Sequence, residues 1–97
     1  MENSKFDPII HAPNRLQICA LLSPLEQVEF RVIRDELGVS DSVLSKHIKQ
    51  LEDVDYIKQK KSKVNGRARR WFHLTATGRT AFELHVEELK RIVNSLQ

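Results

Sequence analysis

The chain has 97 residues, of which 40% are hydrophobic and 30% are charged, and its formal net charge is +3. This length suits one domain around a single core and excludes two domains. No apolar run approaches the roughly 18 residues that a membrane span needs, and residues 1–8 lack the basic start and apolar block of a signal peptide. We therefore expect a cytoplasmic protein without a membrane partner.

The positive charge is concentrated in one part of the chain. Residues 1–55 carry six cations and ten anions, and residues 83–97 carry two cations and three anions. Residues 56–82 contain eight cations and no acid. Such a basic segment attracts a polyanion, for example a nucleic acid. The composition alone leaves a solvated basic loop as an equal alternative.

The N-terminal half contains several helix signals separated by prolines and a glycine. Asp7 and Pro8 are suited to cap and open a first helix, and Pro13 is suited to open a second one. The apolar spacing after Phe30 predicts another helix that ends at Gly38, a residue suited to the left-handed position after a helix. Only two residues separate Gly38 from the next helical pattern, so we expect the tight turn of a helix-turn-helix.

The second helix of this pair separates an apolar stripe from a polar row. Ser40 is suited to cap its N-terminus. At about 100° per residue, Leu44, Ile48 and Leu51 fall on one face. The opposite face carries hydroxyls and lysines: Ser42, Ser45, Lys46 and Lys49. Such a row fits the DNA major groove, where Lys reaches guanine edges or phosphates and Ser donates or accepts hydrogen bonds. Taken alone, the same pattern is typical of any amphipathic surface helix.

A basic hairpin follows this helix. Residues 56–64 predict a strand, Asn65 and Gly66 form a two-residue hairpin signal, and residues 71–75 predict the return strand. Five cations flank the predicted tip: Lys61, Lys63, Arg67, Arg69 and Arg70. Cations on a thin projecting loop can enter a minor groove or bind the phosphates beside it.

The order of these motifs resembles the winged helix DNA-binding domains of MarR-like and ArsR-like transcriptional regulators, above all their short single-domain members. The resemblance covers nearly the whole chain and includes the Leu-Thr-x-x-Gly-Arg segment at residues 74–79. It implies a mostly α fold with a small β-hairpin wing, formed by residues 1–97 as one domain. The predicted DNA contacts are Ser40, Ser42, Ser45, Lys46 and Lys49 on the recognition helix, and Lys61, Lys63, Arg67, Arg69 and Arg70 on the wing.

Two departures from the family pattern concern the turn before the wing and the sensing of a signal. Asp55 stands where the family usually has a glycine, and Asp tolerates a left-handed backbone better than most residues. ArsR-type metal sensors carry a cysteine pair, whereas this chain has only Cys19, which we assign to the core, with a redox role as the minor alternative. The four histidines show no ligand spacing: His11, His47, His73 and His85. We predict no metal and no cofactor, and the sequence identifies no small-molecule effector.

The last predicted helix, at about residues 76–96, indicates self-association. Its apolar residues recur at alternating steps of four and three, the spacing of a coiled-coil seam: Phe82, Val86, Leu89, Val93 and Leu96. The predicted N-terminal helices, at about residues 8–22, contribute Ile9, Ile10 and Leu16. The family resemblance implies that these elements form a homodimer, although part of the seam can instead pack against its own chain. A two-fold dimer places two recognition helices about 34 Å apart and predicts a pseudo-palindromic operator on double-stranded DNA.

Three classes of function are compared on these features. The polar row, the basic hairpin and the seam favour a sequence-specific DNA-binding regulator that acts as a homodimer, with repression as the expected effect. The alternative is a winged helix module that binds another protein, and the uninterrupted basic segment argues against it. An enzyme is disfavoured, because the sequence contains no nucleophile and base set, phosphate-binding glycine loop or metal cluster.

Overall fold

The computed structural model describes residues 6–96, which form four α-helices and one three-stranded antiparallel sheet. In chain order, the elements are α1 (Pro13–Leu22), β1 (Val28–Glu29), α2 (Phe30–Leu37), α3 (Asp41–Asp53), β2 (Ile57–Val64), β3 (Arg67–Leu74) and α4 (Ala76–Asn94). Strand β3 lies between β1 and β2. The predicted fold class, mostly α with a small β-hairpin wing, is confirmed.

The N-terminal segment forms a single turn, so the predicted first helix is wrong. The Asp7 carboxylate does cap this turn, because it accepts hydrogen bonds from the backbone N–H groups of Ile9 and Ile10 at 2.8 and 3.2 Å. Ala12 is extended, with ψ at 135°, and separates the turn from α1. A residue before proline avoids the helical region, and Pro13 is the residue that opens α1.

Helices α2 and α3 form the predicted helix-turn-helix. Gly38 has a φ of 69°, and this left-handed residue ends α2. The Ser40 side chain accepts a hydrogen bond from the Val43 N–H at 3.2 Å and caps α3. The predicted apolar stripe of α3 is also confirmed, because its members are buried: Leu44, Ile48 and Leu51. The recognition helix is thus held by one face, and its opposite face is left to solvent.

Strands β2 and β3 form the predicted wing as one continuous antiparallel pair. Asn65 and Gly66 have φ values of 52° and 78°, as the favoured two-residue hairpin turn requires. The return strand begins at Arg67, whereas we predicted it from residue 71. Pairing resumes at once after so short a turn, with Val64 opposite Arg67. The wing is therefore longer than the sequence pattern indicated.

The core lies between the helices and the inner face of the sheet. Its fully covered side chains include Ile18, Cys19, Leu22, Ile33, Leu44, Leu51, Ile57 and Phe72. The assignment of Cys19 to the core is confirmed by an exposed fraction of 0%. Burial, with a smaller contribution from Asp7, raises the pKa of the Cys19 thiol to about 12. This thiol therefore stays protonated at neutral pH and is a poor nucleophile.

The Leu-Thr-x-x-Gly-Arg segment joins three parts of the fold. The Thr75 hydroxyl accepts a hydrogen bond from the Gly78 N–H at 2.9 Å and caps α4. The Thr75 N–H donates to the Tyr56 carbonyl at 3.0 Å, at the entry to β2. The Arg79 guanidinium donates to the Ser23 carbonyl at 2.9 Å, where α1 ends. The motif thus fastens the start of α4 to both the wing and the end of α1.

A buried imidazole fastens the N-terminal turn to α4. His85 is 0% exposed, and its Nδ1 atom accepts a hydrogen bond from the Asp7 N–H at 3.2 Å. Its Nε2 atom lies 3.2 Å from His11 Nδ1. Since Nδ1 accepts, the proton of the neutral ring resides on Nε2, and His11 is the acceptor. Burial and the neighbouring His11 lower the pKa of His85, which favours this neutral form.

We expect the protein to lose stability as the pH falls below about 6.5, the ordinary pKa of histidine. In the unfolded chain His85 takes up a proton near that pH. In the folded protein the pKa of His85 is lowered, so the side chain stays neutral to a lower pH. The unfolded state then binds more protons, so acid favours unfolding. Urea unfolding at about pH 7.5 and about pH 5.5 measures the effect. His85→Gln should reduce the difference between the two midpoints, and an unchanged difference would contradict this account.

Candidate nucleic-acid interface

Helix α3 presents the predicted polar row to solvent. Its members are all exposed: Ser42, Ser45, Lys46 and Lys49. The cap residue Ser40 before them is exposed as well. The Ser40 hydroxyl caps the helix and lies 3.2 Å from the Ser42 hydroxyl. Lys49 Nζ lies 3.2 Å from the Asp53 carboxylate, and both side chains are more than half exposed. A solvated pair of this kind contributes little to stability, so Lys49 can exchange Asp53 for a phosphate or a base.

The N-terminal turn of α3 contains a carboxylate next to the polar row. Asp41 accepts a hydrogen bond from the Arg34 guanidinium at 2.9 Å, and Arg34 also contacts Asp35 at 3.0 Å. These two carboxylates raise the pKa of Arg34. Arg34 therefore offsets the negative charge of Asp41 where a DNA backbone would approach. Sequence analysis missed Arg34, because its role depends on the angle at which α2 meets α3.

The outer part of the wing carries exposed cations. Lys61 and Lys63 lie on β2, and Arg67 lies on β3 directly after the turn. Lys63 and Arg67 lie beside the turn, whereas Lys61 lies opposite Arg70, about midway along β2. Their contact with DNA stays a prediction.

Arg69 lies in a different environment, which corrects its assignment as a wing contact. Its Nη1 atom donates to both carboxylate oxygens of Glu29, at 3.1 and 2.9 Å. The side chains of Arg69 and Glu29 are only 25% and 12% exposed. Glu29 lies on β1 and pairs with Trp71 on β3. Arg69 lies two residues before Trp71 on the same strand. Arg69 therefore supports the base of the wing and is already engaged by a carboxylate.

Arg70 also contacts the fold, although it remains exposed. Its guanidinium carbon lies 4.1 Å from the centroid of the Phe30 ring, at the start of α2. Such a cation over an aromatic face is attracted by the ring quadrupole. Its Nη1 atom lies 3.5 Å from the Gln59 side-chain oxygen on the neighbouring strand. Arg70 thus covers Phe30 and still presents a positive charge at the base of the wing.

The predicted dimer residues divide into exposed and covered ones. On α4, Val93 is 56% exposed, and Leu96 beyond the helix end is 80% exposed. The other members of the seam are half-buried: Phe82, Val86 and Leu89. In the N-terminal part, Ile9 and Leu16 are half-buried, but Ile10 is 0% exposed. The core already covers Ile10 on every side, so its assignment as a contact to a partner is corrected.

A helix-turn-helix followed by a two-stranded basic wing defines a winged helix-turn-helix. The sequence pattern of the winged helix DNA-binding domain family matches residues 14–93, so the chain belongs to this family. An uncharacterised protein of Methanocaldococcus jannaschii is 32% identical over 89 residues, which cover 92% of this chain and 97% of that protein.

The fold recurs in solved structures of regulators. A transcriptional regulator homologue from Pyrococcus horikoshii OT3 superposes with a TM-score of 0.87 at 26% identity, covering 94% of this chain and 90% of that one. The adhesin competence repressor of Streptococcus pyogenes superposes with a TM-score of 0.68 at 22% identity, covering 88% of this chain and 62% of that one. The family match and these superpositions confirm the predicted resemblance to winged helix transcriptional regulators.

None of the helices within residues 6–96 has an apolar stretch long enough to cross a membrane. In the same range, no three side chains of His, Cys, Asp or Glu are grouped so that they could hold a metal ion. The family and the fold together indicate a transcriptional regulator that binds DNA.

Proposed function

We propose that the protein is a homodimeric repressor that binds a pseudo-palindromic operator in double-stranded DNA. The observation that carries this proposal is the joint exposure of the polar row on α3 and of the cations at the end of the wing. A row of hydroxyls and lysines suits the major groove, and the wing cations suit the adjacent backbone or minor groove. Membership in a DNA-binding family supports the same assignment.

The dimer is supported by the apolar seam of α4. Val93 and Leu96 are more than half exposed, and they continue the line of Phe82, Val86 and Leu89. An apolar edge that its own chain does not cover is stabilised when a second copy buries it. A two-fold axis beside α4 gives each operator half-site its own recognition helix.

The proposed mechanism is occupancy of a promoter. Lys61, Lys63 and Arg67 neutralise phosphates and fix the register of the protein on the duplex. Ser42, Ser45, Lys46 and Lys49 read base edges in the major groove. The bound dimer then excludes RNA polymerase from the same stretch of DNA.

An anisotropy titration at two salt concentrations tests the proposal. The purified protein is titrated against the duplex of its own promoter region and against a random-sequence duplex of equal length. We expect binding that weakens steeply with salt, because counterions are released from the phosphates, and a clear preference for the promoter. The absence of binding at low salt would overturn the proposal and favour a winged helix module that binds another protein.

Two arginines of the wing should respond differently to alanine substitution. Arg67→Ala should weaken binding to every DNA sequence and lower the salt slope by about 1 for each contact removed, with unchanged stability. Arg69→Ala leaves the poorly exposed Glu29 carboxylate with only the longer 3.5 Å contact to Arg31, so it should cost about 1–3 kcal/mol of unfolding free energy. Anisotropy and urea unfolding of both variants separate the two roles. A loss of DNA binding in Arg69→Ala at full stability would restore Arg69 as a DNA contact.

A further inference from the structure

One guanidinium connects the segment before α1 with the recognition helix. Arg15, in the first turn of α1, donates through Nε to the Ile9 carbonyl at 2.5 Å. Its Nη1 atom donates to the Gln50 side-chain oxygen at 2.5 Å and lies 3.2 Å from Nδ1 of His47. Gln50 and His47 both lie on α3, on the flank that faces α1 rather than in the exposed polar row. Arg15 thus has contacts in two directions, and none of them is with the predicted DNA-binding residues.

The contact between Arg15 and His47 requires the neutral form of the histidine ring. Arginine has no acceptor, so Nδ1 of His47 accepts from Arg15, and the neutral ring carries its proton on Nε2. The Asn14 amide nitrogen is placed 3.2 Å from Nε2. The two ends of an amide are nearly isosteric, so a half-turn of the Asn14 amide group would bring its oxygen to this position, where it would accept the Nε2 proton. Burial, Arg15 and Lys46 lower the pKa of His47 and so favour the neutral ring that the contact needs.

The other end of the connection belongs to the proposed dimer face. The N-terminal turn is fastened to α4 through the hydrogen bond from the Asp7 N–H to His85. Tyr56 also donates its hydroxyl proton to the Asp7 carboxylate, so the turn is held from two sides. Ile9, whose carbonyl Arg15 contacts, is half-buried on this turn. A chain of polar contacts therefore runs from α4 through the turn and Arg15 to the middle of α3.

We propose that Arg15 is a positioning residue that fixes the orientation of α3 relative to the dimer face and thereby sets the half-site spacing that the dimer accepts. This inference rests on the proposed dimeric DNA-binding function. The planar guanidinium has donors in a fixed fork, so it can hold the Ile9 carbonyl and the α3 side chains at one mutual distance. A lysine at this position keeps the charge, but its single ammonium on a flexible stem cannot fix both groups in the same geometry.

The test is a comparison of operator spacing between Arg15→Lys and the unaltered protein. A duplex is first selected by the unaltered protein from a random-sequence pool. Its two half-sites are then moved apart or together by one and two base pairs. Each base pair changes the half-site separation by about 3.4 Å and rotates one half-site about the helix axis. Arg31→Lys serves as the matched control, because Arg31 is exposed on α2 and its ion pair within residues 6–96 is a long contact of 3.5 Å with Glu29.

We expect the unaltered protein and Arg31→Lys to lose about tenfold or more in affinity for each shifted duplex. Arg15→Lys should tolerate the shifts within about threefold, with an unchanged salt slope, because its phosphate contacts are intact. If Arg15→Lys fails to fold in a thermal scan, Gln50→Ala, which removes only one acceptor of the fork, provides the same comparison. If these variants prefer one spacing as sharply as the unaltered protein does, the role of Arg15 is overturned but the proposed function is not. Failure of the unaltered protein to select any duplex would instead overturn the proposed function.

Discussion

Gly78→Ala is expected to destabilise the fold by about 3 kcal/mol or more, the largest effect of any single methyl group that we foresee in this chain. A Cβ atom at Gly78 would stand 2.0 Å from the Tyr56 carbonyl oxygen, 2.7 Å from its carbon and 2.9 Å from its Cα atom. All three are backbone atoms, so no side chain can rotate away. The same carbonyl accepts the Thr75 N–H, so relief of the clash would also disturb the start of α4.

A second glycine provides the control for this substitution. Gly38 has open space around the position of a Cβ atom, and its only constraint is a left-handed φ of 69°. Gly38→Ala should therefore cost about 1–2 kcal/mol. Urea unfolding of both variants measures the difference. If Gly78→Ala and Gly38→Ala are equally stable, α4 does not pack against the Tyr56 backbone as closely as the structure indicates.

Val93→Glu is expected to dissociate the proposed dimer and to weaken binding to the proposed operator by about 100-fold or more. The side chain of Val93 is 56% exposed, so the substitution leaves the fold of the single chain intact. In the proposed dimer, however, it buries a carboxylate in an apolar seam. In a dimer, binding of one recognition helix holds the second at a high effective concentration beside the other half-site, which is worth about 10²–10⁴ in affinity. Two separate monomers lose this gain. Light scattering reports the assembly, and anisotropy reports the affinity.

Leu84→Glu is the matched control for the seam. Leu84 lies on the same helix and is 60% exposed, close to the value for Val93. At about 100° per residue, the two side chains point to opposite sides of α4. We expect Leu84→Glu to remain dimeric with full affinity. If Leu84→Glu dissociates the dimer and Val93→Glu does not, the interface lies on the Leu84 side of α4.

Features that depend on a few neighbouring residues could be predicted from the sequence. Gly38, Ser40 and the Asn65-Gly66 turn obey local rules of backbone geometry and hydrogen bonding, and the structure confirms all of them. Asp55, at the position where the family usually has a glycine, adopts a left-handed backbone with a φ of 63°, which Asp tolerates better than most residues. Local rules failed at the N-terminal turn, where Asp7 caps as expected but Pro13 prevents the turn from continuing into α1.

Features that depend on distant residues could not be predicted in this way. Arg69 and Glu29 are 40 positions apart, so the basic character of the wing strand gave no sign that one of its cations is paired. Arg15 reaches Gln50 across 35 positions, and neither residue belongs to a recognisable motif. The resemblance to known regulators singled out Gly78, but its physical reason, the contact with Tyr56, became visible only in the packed structure.

The most direct test of the central claim is a binding comparison between a two-half-site duplex and the same duplex with one half-site scrambled. The parent duplex is the one that the protein selects from a random pool, and stoichiometry is measured alongside affinity. We predict two chains per intact duplex and a loss of about 100-fold or more in affinity when one half-site is scrambled. Equal affinity for both duplexes, with one chain bound to each, would contradict a dimer that reads a pseudo-palindromic operator.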